Sequence, residues 1–241
     1  MFEDLSLSIQ ERQITLILGP NGCGKSTLLN AMSGLLSAIN GEVQIGELQL
    51  SSTKRPELAK RLAILPQHPI APQGLSVFDL VARGRTPHQD FLHQWRAEDQ
   101  TVVERVLERV DLLDCADKPV NELSGGQRQR AWIALVLAQQ TDVMFFDEPT
   151  SALDPRHQLD IFLLLERLRD EEGKTIVAVV HDLNIAARFA DYVIAMRDGK
   201  VLRSGSATEV FTPDTLHAVF DLECRVFVDE ISGALTVVPL V

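Results

Sequence analysis

ITLILGPNGCGKSTLL, residues 14 to 29, is where the fold is decided. Ile14 to Leu18 reads as a strand with no polar face, as in a parallel sheet covered on both sides. The glycines that follow let the chain turn sharply and bring its backbone N–H groups together. KSTLLNAMSGLL, residues 25 to 36, then reads as a helix. GPNGCGKS fits G-x-x-x-x-G-K-[ST] in the strand–loop–helix setting that this motif requires, which a chance glycine-rich turn would not supply. The backbone of Gly19, Pro20, Asn21, Gly22, Cys23 and Gly24 can close around phosphate. Lys25 can reach the outer phosphates, and the Ser26 hydroxyl, followed by Thr27, can hold Mg²⁺.

Further along, short strands are expected at residues 42 to 45 and 62 to 65. The texture changes from Ala71 to Asn121, where AEDQTVVERVLERVDLL is an amphipathic helix with apolar Val102, Val103, Val106, Leu107 and Val110. Residues 72–128 thus read as a helical unit inserted in a single domain, 1–241. The core resumes with VMFF, a helix over 155–172, TIVAVV, a helix after Asp182, and YVIAM. Strands alternating with helices define an α/β fold with a mainly parallel sheet. Asp198-Gly199 marks a hairpin turn, and CRVFVDEISGALTVVPL marks a second hairpin. Residues 200–241 are therefore expected to form a strand and helix extension packed on the core.

The 241-residue chain is 45% hydrophobic and 24% charged, with formal net charge −11, which speaks against nucleic acid as main partner. No apolar run is long enough to span a bilayer, and MFEDLSLSIQER lacks the features of a signal peptide, so a cytosolic protein is expected. Cys23, Cys115 and Cys224 are too far apart for a metal site and read as free thiols.

Three more segments carry chemistry. VMFFDE, residues 143 to 148, is an apolar strand ending in two acids. Strand geometry points neighbours to opposite sides, so the two take different tasks: Asp147 in the outer shell of Mg²⁺, Glu148 on the attacking water as general base or as its positioner. His181 follows TIVAVV at a strand's carboxyl end, where its imidazole can reach the γ-phosphate or the water. Gln67, in ILPQH, follows another strand and offers an uncharged contact to water or Mg²⁺. LSGGQRQR, residues 123 to 130, caps a helix with Ser124 and makes a second anion-ready helix start, with no second nucleotide of its own to bind.

In this order, GPNGCGKST, PQ, LSGGQ, FFDEPTSALD and VVHD resemble the ATPase subunit of an ATP-binding cassette (ABC) transporter, over essentially the whole chain. The resemblance implies a RecA-like P-loop NTPase core that uses ATP and Mg²⁺. It implies two copies paired head to tail, so that Ser124, Gly125, Gly126 and Gln127 of one close over the nucleotide of the other. SALD, with Asp154, would link the two sites. Membrane permease subunits are the implied partners, docking their coupling helices around Gln67 and the helical insertion, with an external substrate-binding protein acting through them. The chain is then expected as a peripheral protein on the cytoplasmic face of the bacterial inner membrane. VARGRTPHQDFLHQW and GALTVVPL resemble importers of ferric siderophores, with haem and cobalamin importers close by.

Two other classes share some of these features. A soluble mechanical ABC-type ATPase usually carries a long coiled-coil insertion or a second cassette, and neither is found in this sequence. A GTPase would carry an N-K-x-D segment, also not found, and would leave LSGGQ unexplained. The family places an adenine-stacking aromatic on a strand ahead of the segment matching MFEDLSLSI, so the true start is expected upstream. The family's usual glycine before the phosphate-loop strand is replaced by Arg12 or Gln13.

Overall fold

The computed structural model describes residues 2, 5–89, 95–151 and 153–240. Strand β1, Ile14–Leu18, is buried along its whole length. Its side chains alternate between two layers. Ile14, Leu16 and Leu18 join the larger core, and Ile17 joins a second core with Leu28, Leu29, Phe145, Val177 and Val179. A strand covered on both faces has no polar side to show, which is why ITLIL lacks the alternation of a half-exposed strand.

Helix α1, Lys25–Met32, stops short of the expected Leu36. Gly34 takes φ of 73°, which a helix cannot continue through, and Leu35 and Leu36 come out exposed. Strands β2, Gln44–Ile45, and β3, Leu48–Gln49, form a minimal antiparallel pair in place of the four-residue strand expected from Glu42. Helix α2, Arg55–Leu58, leads to β4, Leu62–Leu65.

Helices α3, Val77–Ala82, α4, Ala97–Arg109, and α5, Gly125–Ala138, pack on one another. Helix α4 buries Val102, Val103, Val106 and Leu107 as its apolar stripe requires. The core then continues through β5, Val143–Asp147, α6, Pro155–Glu172, β6, Thr175–Val179, and α7, Leu183–Phe189. It closes with β7, Tyr192–Arg197, β8, Lys200–Ser206, α8, Ala207–Val210, α9, Pro213–Phe220, β9, Cys224–Val228, and β10, Leu235–Pro239.

The main sheet has the order β4-β5-β6-β1-β7-β8, parallel except for β8. Asp198 and Gly199 are both left-handed, at φ of 50° and 74°, the two-residue turn whose twist matches an antiparallel pair. Strands β9 and β10 form a separate hairpin. Asn184 of α7 ties it to the core: its amide donates to the Val237 carbonyl at 3.3 Å, and its oxygen accepts from Val237 N at 2.7 Å.

The stretch VARGRTPHQDFLHQW, read above as a family likeness, proves to be a clamp. Its residues 90–94 lie outside the described ones. Arg83–His88 form a 3₁₀ turn in which Arg85, 4% exposed, reaches three partners. Its Nε donates to Asp99 Oδ1 at 2.8 Å, and its Nη1 donates to Ala138 O at 2.8 Å and Gln140 Oε1 at 2.6 Å. His88 Nε2 lies 2.8 Å from Gln139 O. A Cβ on Gly84 would stand 2.3 Å from the Leu135 carbonyl, so only glycine lets the turn lie this close to α5. The segment thereby joins the start of α4 to the end of α5.

Candidate active site

The strand order sets the carboxyl ends of β4, β5, β6 and β1 side by side. Each delivers one group: Gln67 after β4, Asp147 and Glu148 at β5, His181 after β6, and Gly19–Ser26 after β1. Ligands bind at this edge in open α/β sheets.

The loop after β1 is shaped by its glycines. A Cβ on Gly19 would stand 2.3 Å from the Met196 carbonyl oxygen, and Gly24 caps α1 at φ of 105°. No side chain caps the first N–H groups of α1, so those donors and the positive helix end are left to an anion. Lys25 is 6% exposed, and its ammonium donates to the carbonyls of Gly19 at 2.8 Å and Pro20 at 3.0 Å. Both partners are neutral, and among the described residues no counter-ion is bonded to this buried cation. Asn21, Gly22 and Thr27 are exposed at the rim, while Cys23 is buried under the loop. All three cysteines are free and buried.

The Ser26 hydroxyl donates to Asp147 Oδ1 at 2.9 Å. Burial pushes the Asp147 carboxyl above its usual range, over the opposing Ser26 bond and the Lys25 charge. Glu148 does not continue the strand. Strand β5 ends at Asp147, and Glu148 takes φ of 53°, a left-handed conformation that costs an ordinary residue about 1–3 kcal/mol. A backbone turn therefore separates the two acids, where the sequence reading assigns the separation to strand alternation. Glu148 Oε1 lies 2.6 Å from His181 Nε2. Burial alone would raise the Glu148 carboxyl; the hydrogen bonds from His181 and Gln67, with the Lys25 and His181 charges, hold it below the usual glutamate range. Neighbouring acids are thus driven in opposite directions, the pattern of acids with different tasks.

Ser124, Gln127, Gly126 and Asp154 sit apart from this group. Ser124 Oγ accepts from Gln127 N at 3.2 Å and Gln127 Oε1 accepts from Ser124 N at 3.1 Å, a reciprocal cap on α5. Gly125 faces open space, whereas the His157 ring backs Gly126. Asp154, in a loop whose Ala152 lies outside the described residues, caps α6 through His157. Among the described residues no hydrogen bond or ion pair links this group to the phosphate loop.

Two residues escape the sequence reading, which leaves a third as one of two choices. His157 is one helical position among many, visible only once α5 and α6 are side by side. Arg85 looks like an ordinary surface cation. Of Arg12 and Gln13, Arg12 holds the left-handed φ of 57° that suits a glycine, and Gln13 does not.

A glycine-shaped cradle, a buried lysine, a paired serine and aspartate, and a glutamate held by histidine and glutamine define a P-loop nucleotide-binding cassette. A family profile described as "ABC transporter" matches residues 2–151. The chain belongs to the ABC transporter family. It is 46% identical over 227 residues, 94% of this chain and 84% of the relative, to the iron(3+)-hydroxamate import ATP-binding protein FhuC of Bacillus subtilis. It is 43% identical over 238 residues, 99% and 88% of the two chains, to the ferric enterobactin transport ATP-binding protein FepC of Escherichia coli. Among solved structures, the dimeric ATP-binding cassette MJ0796 bound to ADP and Pi superposes with TM-score 0.76 at 31% identity, over 86% of this chain and 90% of that one.

Proposed function

We propose that this chain hydrolyses ATP to drive an importer of iron chelates, acting as a head-to-tail pair of copies against membrane permeases. The observation that carries the chemistry is the Glu148 carboxylate, held ionised by His181 and Gln67 at the mouth of a phosphate cradle.

Gly19 to Thr27 bind the phosphates through backbone N–H groups, with Lys25 turning from its carbonyl partners to the β- and γ-phosphates. The Ser26 hydroxyl and Asp147 carboxylate are hard oxygen donors, and an acid disfavoured by burial fits a site completed by a divalent cation. Mg²⁺ held by Ser26, Asp147 and Gln67 would neutralise charge on the β- and γ-oxygens. Glu148 takes the proton of the attacking water. His181, whose imidazole holds Glu148 in the nucleotide-free chain, would turn its N–H to the γ-phosphate or the attacking water once ATP is bound. Ser124, Gly125, Gly126 and Gln127 of the second copy close the site, with Asp154 at the junction. Their exposed helix start supports this reading, because in its own chain it faces no phosphate cradle.

Residues 72–128 act as the helical unit and 200–241 as the extension. A groove of about 580 Å³ lined by Phe78, Gln100, Glu104, Leu113, Ala116 and Asp117 opens on the helical unit, and Trp95 meets Phe78 edge-on. Its mixed apolar and acidic lining suits a short amphipathic coupling helix of the permease. Among the described residues no helix is long and apolar enough to cross a membrane. The chain thus works at the cytoplasmic face of the membrane through those permeases, and the external binding protein selects the cargo.

The test is ATP turnover by the chain assembled with its permease in liposomes. Ferric-siderophore-loaded binding protein should raise turnover. Stimulation only by haem- or cobalamin-loaded binding protein would overturn the cargo, and failure to assemble with any permease would overturn transport.

A further inference from the structure

The starts of α5 and α6 meet through one side chain. Asp154 Oδ1 accepts from His157 N at 3.0 Å, and Asp154 Oδ2 lies 2.6 Å from His157 Nδ1. The second bond fixes the plane of the imidazole and turns its opposite side toward α5. A Cβ placed on Gly126 would lie 3.0 Å from His157 Cδ2 and 3.3 Å from its Cγ and Nε2. The ring therefore fills the space where a side chain at position 126 would project. Gly125, one residue earlier, has open space above it. The two adjacent glycines thus differ: one is free to meet a ligand, and the other is seated on an imidazole.

The rest of this corner is held from the opposite side. Ser124 and Gln127 cap each other, and the Gln127 amide reaches Cys115 Sγ at 3.9 Å. His157 packs this capped turn against α6. Its side chain is 41% exposed, so it closes no cavity in the core. A purely structural role for it would be small, since surface substitutions usually change stability by no more than about 0.5 kcal/mol.

We propose that His157 is a positioning residue for hydrolysis: tied to Asp154, it sets the height of the Ser124–Gly126 turn against α6. The start of α5 is then held at a fixed height from which its exposed backbone N–H groups meet the terminal phosphate of ATP held by the second copy. This rests on the composite-site reading above. The N–H groups at the α5 start carry that helix's partial positive charge, whereas the Asp154 carboxylate already occupies the α6 start. Their value to a transition state depends on placement, and a 1 Å error of position can cost about a hundredfold in rate.

The test uses mixed dimers built from two differently tagged copies. One copy carries Glu148→Gln, so only the nucleotide on the other copy turns over. That working nucleotide faces the Ser124 and His157 of the Glu148→Gln copy. His157→Ala placed in the Glu148→Gln copy should lower kcat by about ten- to a hundredfold with KM for ATP little changed. Placed in the copy that holds the working nucleotide, it should lower kcat far less. His157→Asn, which can keep the bond to Asp154 but not the ring against Gly126, should fall between. Melting temperatures should stay close to that of the parent in every case. Ser124→Arg in the same two placements is the control for the underlying reading. If Ser124→Arg acts from the Glu148→Gln copy but His157→Ala acts equally from both copies or from neither, the role of His157 is overturned and the composite site stands. If Ser124→Arg shows no such asymmetry, the composite site falls, and the proposal with it.

Discussion

Replacing Arg85 by methionine keeps most of the side-chain volume and removes the charge from a buried site. Asp99, 4% exposed, loses the guanidinium bonded to it and keeps only the Arg96 backbone bond and charge, and Ala138 O and Gln140 Oε1 each lose a donor. Breaking a buried pair this way costs about 3–5 kcal/mol. An upper limit comes from the acid itself, because Asp99 can take up a proton. Protonating at pH 7 a group of ordinary pKa near 3.9 costs about 4 kcal/mol, and the variant need lose little more than that. For a domain of this size the loss corresponds to roughly 8–16 °C in melting temperature.

The pH dependence follows from the directions of the shifts. In the parent, burial would raise the Asp99 carboxyl, but the Arg85 bond and charge, with the Arg96 backbone N–H, hold it below its usual range. Its contribution is therefore complete at neutral pH and is lost only as pH falls through that lowered value. In Arg85→Met burial, now opposed only by the Arg96 backbone bond and charge, drives the same carboxyl upward. The stability gap should then narrow as pH falls from 7 toward 5, by at most about 1.4 kcal/mol per pH unit. Adding Asp99→Leu should recover most of the loss, less about 1 kcal/mol for the α4 cap that Asp99 makes to Arg96 N. Urea unfolding of the three proteins at pH 7, 6 and 5 measures all of this. A loss under about 1 kcal/mol for Arg85→Met, a gap that widens as pH falls, or a double variant no better than the single would refute the reasoning.

Asp147→Asn should abolish Mg²⁺-dependent turnover yet raise the nucleotide-free melting temperature at pH 8. Burial lifts the Asp147 carboxyl, so its ionisation costs stability above the raised value; that cost, and the gap, should vanish as pH falls below about 3.9. Thermal melts across the range check the sign, and a variant less stable at pH 8 would contradict it. Gly84→Ala should lose about 1–3 kcal/mol through its 2.3 Å approach to the Leu135 carbonyl, while phosphate binding, read by nucleotide titration, stays near the parent value.

Much of the fold was legible because its cues are local. ITLIL, LAIL and TIVAV are strands as read, and α6 spans Pro155–Glu172 as expected, with Pro155 at its start and Gly173 left-handed just beyond its end. Asp198-Gly199 forms its turn for the same reason: two left-handed positions suit those residues. The loop, Ser26, Asp147, Glu148, Gln67 and His181 were each marked by a strand end, and the sheet order brings those ends together. What stayed hidden depends on long-range packing. Nothing near Glu148 in sequence announces φ of 53°, and Ser151 N bonding back to its carbonyl becomes visible only in three dimensions. Arg85 and Asp99 are fourteen residues apart and read separately as solvated charges. His157 acquires meaning only from the absence of a side chain at Gly126, one helix away.

The claim that one ATP is gripped by two copies of this chain is tested most directly by Glu148→Gln. The amide keeps the shape of the carboxylate but cannot take the water's proton, so ATP should bind and persist. Sedimentation of this variant with Mg²⁺ and ATP should show a stable two-copy species that dissociates when ADP replaces ATP, with turnover reduced to background. A variant that remains a single copy at saturating ATP, or that turns over near the parent rate, would contradict it.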